Sequence, residues 1–118
     1  DLIRDEEMLG WVREAHRTSL FTTSVCTGSL VLAAAGLLDG LTATTHWAAQ
    51  DLLGSLGAIY TPQRVVEHLP QRVITAAGVS SGIDMALRLV ELLVDSGGLG
   101  KASEATRLLA LEYFTARD

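Results

Sequence analysis

Cysteine, proline and basic residues are all scarce in this chain of 118 residues. It has one cysteine, two prolines, and nine lysines and arginines against fourteen acidic residues, which gives a formal net charge of -5 at pH 7. A single cysteine excludes a disulfide framework and a Cys/His zinc site within the chain, and it favours a reducing compartment such as the cytoplasm. The shortage of basic residues argues against direct contact with nucleic acid, whose phosphates require a basic surface.

Long apolar runs and low-complexity tracts are absent as well. No stretch approaches the roughly 18 uninterrupted apolar residues of a membrane span, and the first residues, Asp1 to Glu7, do not resemble a signal peptide. With 48% hydrophobic and 19% charged residues, the composition is that of a folded protein rather than a disordered one. We therefore expect one soluble domain over residues 1–118 and no membrane partner.

The one cysteine, Cys26, stands where the sequence pattern changes from strand to helix. The residues up to Val25 are rich in β-branched and aromatic types, whereas residues 29–35 are rich in leucine and alanine. A side chain at such a corner projects from the carboxyl end of a sheet, and the free N–H groups of the following helix favour a thiolate. Gly28 and Ser29 are small, as in the nucleophile elbow of α/β hydrolases. From the residues alone, a small buried apolar side chain remains the alternative for Cys26.

Strand-like and helix-like segments alternate along the rest of the chain. Apolar spacing predicts helices over residues 5–17, 48–56, 83–94 and 101–114, and β-branched runs predict strands over 41–45 and 73–77. Pro62 and Pro70 frame a segment that we expect to hold a short edge strand and a turn. This alternation implies an α/β fold with parallel strands and right-handed crossovers.

Three segments that follow predicted strands should meet at one edge of the sheet. They are Cys26, residues 44–46 and residues 78–82, and ligands of such sheets bind beyond the carboxyl ends of the strands. Each segment also has a purely structural interpretation. His46 can pack beside Trp47 or bond a carbonyl, and the two threonines before it can serve as strand and cap residues.

For several other residues we expect structural rather than catalytic roles. Trp11 and Met85 fall in helical stripes and are expected in the core. Ser81 and Asp84 have the spacing of a capping box. The 83–94 helix is apolar on more than one side, which favours cover by a neighbouring helix or by a second subunit.

Residues 24–40, 43–47 and 75–87 together resemble the DJ-1/PfpI superfamily, whose motifs have the same order and spacing. The Cys-Thr-Gly-Ser elbow at 26–29 and the Ala-Thr-Thr-His-Trp stretch at 43–47 are most similar to its isocyanide hydratase branch. The resemblance implies a flavodoxin-like three-layer sandwich with a mostly parallel sheet, usually a homodimer. It also implies a small-molecule substrate and no metal or cofactor.

The resemblance further implies roles for individual residues. Cys26 would be the nucleophile that adds to an isocyanide, and the product would be an N-substituted formamide. Thr27 would place its hydroxyl and main-chain N–H at the active site, and Gly28 would help to close the turn and bind the substrate or its developing charge. His46 would be the family's catalytic histidine. The peptidase-like branch has a histidine directly after the nucleophile, where this chain has Thr27, so proteolysis is disfavoured.

The largest departure from the family is an absence. The strand-helix-strand portion with which family members begin, and its Asp or Glu beside the cysteine, have no counterpart here. The resemblance therefore implies the C-terminal part of one domain, whose partner would be the missing N-terminal half. Two other functions stay open: a sensory domain of a transcription regulator with a helix-turn-helix module, and a redox-sensing stress protein that acts through oxidation of Cys26.

Overall fold

Helices and short strands alternate along residues 2–95, the part of the chain that the computed structural model describes. A 3-10 turn at Leu2–Arg4 precedes the first helix, and another at Trp47–Ala49 precedes the third. The helices are α1 Glu6–Thr18, α2 Gly28–Ala34, α3 Gln50–Ser55 and α4 Val79–Asp95, and the strands are β1 Thr22–Val25, β2 Thr42–Ala43, β3 Ile59–Tyr60, β4 Val65–His68 and β5 Val73–Ala76. The helix predicted over 101–114 lies outside the described residues.

The ends of α1 and α2 follow from local chemistry. Asp5 caps α1, because its side chain accepts a hydrogen bond from the Met8 N–H at 3.1 Å. Acidic residues in the first turn of this helix and basic residues in its last turn complement the helix dipole. Beyond α2, Gly36 adopts a φ of 86°, a conformation that glycine reaches without a Cβ clash.

The strands form two small sheets. In the first, of order β1-β5-β4, β1 runs parallel to β5 with Val25 opposite Ala76, and β4 runs antiparallel to β5. In the second, β2 and β3 are parallel. The expectation of a mixed α/β fold with a mostly parallel sheet is confirmed. The edge strand expected between the two prolines is β4, whereas β3 was not predicted because two residues carry too little pattern.

A single apolar cluster supports the two sheets within residues 2–82. Leu9 and Val12 of α1 are buried in it, and it includes Leu32, Ala33, Ala35, Leu38, Ala43, Leu53, Ala58 and Val73. The prediction that Trp11 belongs to the core is wrong, since its side chain is 67% exposed. Leu9 and Val12 are three residues apart and face inward together, which leaves Trp11 on another side of α1.

Helix α4 begins earlier than its apolar spacing suggests. The Gly82 N–H donates to the Gly78 carbonyl at 2.7 Å, so Ser81 and Asp84 lie inside the helix and the predicted capping box is wrong.

The chain divides into two compact units, residues 1–82 and 83–118, and of the second the structure describes residues 83–95. Neither α4 nor any other helix within residues 2–95 is long and apolar enough to cross a membrane.

His16, near the end of α1, gives the fold a predictable response to acid. Its Nδ1 lies 2.5 Å from the Thr22 hydroxyl at the start of β1. Burial of the ring, and then the positive charge of Arg72, lower the pKa of His16 below its ordinary value of 6.5. The unfolded chain therefore binds more protons than the folded one between that lowered pKa and 6.5, so acidification through this window destabilises the fold.

We expect the free energy of unfolding of the wild type to fall more than that of His16→Gln as the pH is lowered from about 7.5 to about 5.5. Glutamine keeps a polar side chain at the position but does not titrate. The measurement is urea unfolding of both proteins at several pH values. Parallel curves for the two proteins would contradict the assignment of this proton to His16.

Candidate active site

Cys26 forms the corner between β1 and α2, as its place in the sequence predicted. Its thiol is free and partly buried, and its backbone is left-handed, with φ at 58°. This conformation costs a residue with a Cβ about 1–2 kcal/mol, and among the described residues other than glycine only Arg72 shares it. Strain of this kind persists where surrounding contacts impose it, and it is typical of nucleophile elbows.

The segment at 44–46 lies against this corner. The Thr45 hydroxyl donates a hydrogen bond to the carbonyl of Cys26 at 2.8 Å, and both Thr44 and Thr45 are buried. On the other side of the corner, the Cys26 N–H donates to the carbonyl of Ala76 at the end of β5 at 2.9 Å. Both peptide groups of the left-handed residue are therefore held by neighbouring segments.

A buried chain of hydroxyl groups links the segments around the corner. The Ser29 hydroxyl donates to the carbonyl of Thr44 at 2.7 Å, and the Ser24 hydroxyl lies 2.7 Å from the Ser29 oxygen. Because the single proton of Ser29 is used on the carbonyl, Ser24 is the donor between the two serines. The Thr44 N–H in turn donates to the Thr75 hydroxyl at 3.0 Å. These bonds connect β1, α2, the end of β2 and β5.

The first turn of α4, which follows β5, is the third segment near the corner. A Cβ placed on Gly82 would lie 3.1 Å from both methyl groups of Val25, so the first turn of α4 packs closely on the residue before Cys26. Arg64, just before β4, donates to the hydroxyls of Ser81 and Ser80 at 3.1 and 3.3 Å. Of the three segments expected to share one edge, residues 44–46 bond Cys26 directly and residues 78–82 pack on its neighbour Val25.

Thr27 and Gly28 follow the cysteine at the start of α2. Thr27 is exposed, and as the N-cap residue its side chain makes no capping hydrogen bond. The left-handed residue of the turn is Cys26 and not Gly28, where an added Cβ would make only an ordinary contact with Ser24 at 3.6 Å. A partly exposed thiol beside an exposed hydroxyl can attack a small electrophile that enters from solvent.

His46 begins the turn at 47–49. Its Nδ1 accepts a hydrogen bond from the Ala48 N–H at 3.2 Å, and its ring centre lies 5.4 Å from that of Trp47. An accepting Nδ1 carries no proton, so the neutral ring has its proton on Nε2. The contact with Trp47 considered for this histidine is therefore present, and its ring bonds an N–H rather than a carbonyl. These contacts leave Nε2 available for a further role, and the catalytic one stays a prediction.

A surface concavity lies apart from the corner, and no metal site is found among residues 2–95. A surface concavity of about 440 Å³ is lined by Asp5, Glu7, Met8 and Trp11, none of which belongs to the three segments around Cys26. Within residues 2–95, no group of three or more histidine, cysteine or acidic side chains is arranged to hold a metal ion.

The sequence identified Cys26 and the three segments but did not predict the hydrogen bonds of the hydroxyl groups that join β1, α2, the end of β2 and β5. Ser24, Ser29, Thr45 and Thr75 are all buried, although serine and threonine are mostly exposed in proteins. The available signal was their position in segments that are otherwise apolar. A hydroxyl in such a segment has to find a hydrogen-bond partner when it is buried.

Comparisons with known proteins identify the family of this chain. The model of the DJ-1/PfpI family matches residues 1–92. An isonitrile hydratase from Pseudomonas putida is 50% identical over 93 residues, which cover 79% of this chain and 40% of that protein. The HTH-type transcriptional regulator CdhR from Pseudomonas aeruginosa is 39% identical over 84 residues, which cover 70% of this chain and 25% of the regulator.

A solved structure shares the fold. A ThiJ/PfpI family protein from Pseudomonas syringae superposes with a TM-score of 0.74 at 38% sequence identity, over 92% of this chain and 43% of that one. The chain thus has the flavodoxin-like fold of DJ-1 and ThiJ proteins. It spans less than half the length of each of these three relatives.

Proposed function

The chain belongs to the DJ-1/PfpI family, and on that premise we propose that the intact protein hydrates isocyanides with Cys26 as its nucleophile. The observation that carries the proposal is the left-handed backbone of Cys26 at the corner between β1 and α2. The 50% identity with an isonitrile hydratase supports the choice of substrate class.

The proposed reaction is covalent catalysis in two stages. The Cys26 thiolate forms a bond to the terminal carbon of the isocyanide, a proton is transferred to that carbon, and an S-linked thioimidate results. Water then adds to the same carbon, the carbon–sulfur bond breaks, and the thiol is regenerated as the N-substituted formamide leaves. Thiol and water complete this sequence, so it requires no metal or cofactor.

Other residues around the corner have supporting roles in the proposal. The exposed Thr27 hydroxyl and the main chain at Thr27 and Gly28 would bind the substrate beside the sulfur. The Nε2 proton of His46 would be available for exchange with the bound intermediate. The acidic residue that the family places beside its cysteine would come from the portion of the relatives that this chain does not span. A homodimer and a cytoplasmic location complete the proposal.

The test is incubation of the intact protein with cyclohexyl isocyanide or an aryl isocyanide, followed by chromatography of the corresponding formamide. We expect many equivalents of formamide per protein, at a rate that exceeds the reaction without protein. A rate equal to that of the protein-free reaction for both substrates would exclude the hydratase.

A second candidate is favoured by the 39% identity with a transcriptional regulator. In that case the corner around Cys26 would bind an effector, and no product would form. Calorimetry with the same isocyanides separates the two functions, because a sensory domain would bind them stoichiometrically and return them unchanged. The regulator would also need a DNA-binding module elsewhere in the intact protein.

A further inference from the structure

The backbone of Cys26 accepts a hydrogen bond from a side chain outside β1 and α2, that of Thr45. Its N–H is held by the carbonyl of Ala76, a main-chain contact that any residue at position 76 would make. Its carbonyl accepts from the Thr45 hydroxyl at 2.8 Å. A left-handed residue with a Cβ relaxes unless contacts oppose that relaxation. The Thr45 hydroxyl is placed to provide this restraint.

Thr45 can act as a restraint because the residue before it is fixed in turn. The carbonyl of Thr44 accepts from Ser29 at 2.7 Å, and its N–H donates to Thr75 at 3.0 Å. Both peptide groups of Thr44 are therefore tied to α2 and β5. All these groups are shielded from water, where an unpaired hydroxyl or carbonyl is costly. A rigid segment thus presents the Thr45 hydroxyl to the corner.

We propose that Thr45 is a positioning residue that holds Cys26 in its reactive conformation through the Cys26 carbonyl. This inference rests on the proposed role of Cys26 as nucleophile. Thr45 is 1% exposed, so it acts on the thiol through the backbone and not by contact with substrate. The reaction rate should depend on its hydroxyl, and substrate binding should not.

The first test compares Thr45→Val, which removes the hydroxyl and keeps the shape, with Thr45→Ser, which keeps the hydroxyl. For Thr45→Val we expect kcat for isocyanide hydration to fall at least about tenfold while KM changes less than about threefold. Thr45→Ser should retain kcat within about threefold of the wild type. Thr42→Val is the matched control, because the Thr42 hydroxyl is exposed and bonds His68 at 3.0 Å, away from the corner.

A loss of kcat in Thr45→Val that Thr45→Ser restores supports the inference. Equal kcat in Thr45→Val and the wild type overturns it, and so does an equal loss in the valine and serine variants. If Thr45→Val cannot be purified folded, Thr45→Ala and Thr45→Ser give the same comparison, because they differ only by the hydroxyl.

A second readout does not need the substrate. We expect iodoacetamide to alkylate Cys26 at least about threefold more slowly in Thr45→Val than in Thr45→Ser, because the thiol leaves the position that the elbow imposes. If the wild type hydrates no isocyanide, the proposed function fails, and this comparison still decides the role of Thr45. Equal alkylation rates in the two variants would then overturn the inference.

Discussion

Replacement of Cys26 by alanine in the intact protein is expected to lower kcat/KM for isocyanide hydration by at least about 10⁴-fold. Loss of a covalent nucleophile removes the bond on which both stages depend, and effects of this size are usual for such residues. The measurement is the initial rate of formamide formation at several isocyanide concentrations. Leu20→Ala is the matched control, because this side chain, ahead of β1, is 65% exposed and its loss should leave the rate within about threefold.

The same position offers a control for misfolding. Glycine adopts a φ near 58° without the Cβ clash, so Cys26→Gly should be as stable as the wild type or more stable by about 1 kcal/mol. We therefore expect this variant to be inactive and fully folded in thermal unfolding. An inactive variant that is also strongly destabilised would mean that the corner is not strained as its backbone indicates.

Replacement of Ser29 by alanine is expected to cost about 2–6 kcal/mol of unfolding free energy. The variant leaves the buried carbonyl of Thr44 and the buried hydroxyl of Ser24 without the partner that each has at 2.7 Å. Each such group costs about 1–3 kcal/mol. The measurement is urea unfolding of the intact protein.

Ser55→Ala is the matched control for this loss. The Ser55 hydroxyl bonds the carbonyl of Leu52 at 2.8 Å on the exposed surface of α3, so its removal should change stability by less than about 0.5 kcal/mol. The double variant Ser24→Ala/Ser29→Ala should lose less than the sum of the two single losses, because the two hydroxyls share one bond. Additive losses, or a Ser29→Ala loss no larger than that of Ser55→Ala, would contradict the buried chain of hydroxyl groups.

The corner at Cys26 and the strands β1 and β5 were predictable because their sequence signals are local. A β-branched run, a cysteine and a Leu/Ala-rich helix occupy consecutive positions. The alternation of strands and helices along the chain then implies parallel strands. Trp11 was misplaced for a physical reason. The spacing of apolar residues along α1 shows that the helix has apolar faces. Which face is buried depends on the elements that pack against the helix.

The contacts around the corner were not predictable from spacing. The bond from Thr45 to the Cys26 carbonyl joins residues 19 positions apart, and the one from Thr44 to Thr75 spans 31. Serine and threonine in such segments fit strands, turns and caps equally well in sequence. Only the fold shows which of them are buried and bonded to one another. The left-handed backbone of Cys26 is likewise bonded to partners distant in sequence, Thr45 and Ala76.

The central claim is that Cys26 bonds covalently to the isocyanide, and mass spectrometry tests it most directly. The intact protein would be mixed with cyclohexyl isocyanide, quenched in acid during turnover and digested. We predict a mass increase equal to that of the whole isocyanide on the peptide that contains Cys26, as addition of a thiol across the terminal carbon requires. Continued formamide production with that peptide unmodified, together with full activity of Cys26→Ala, would contradict the account.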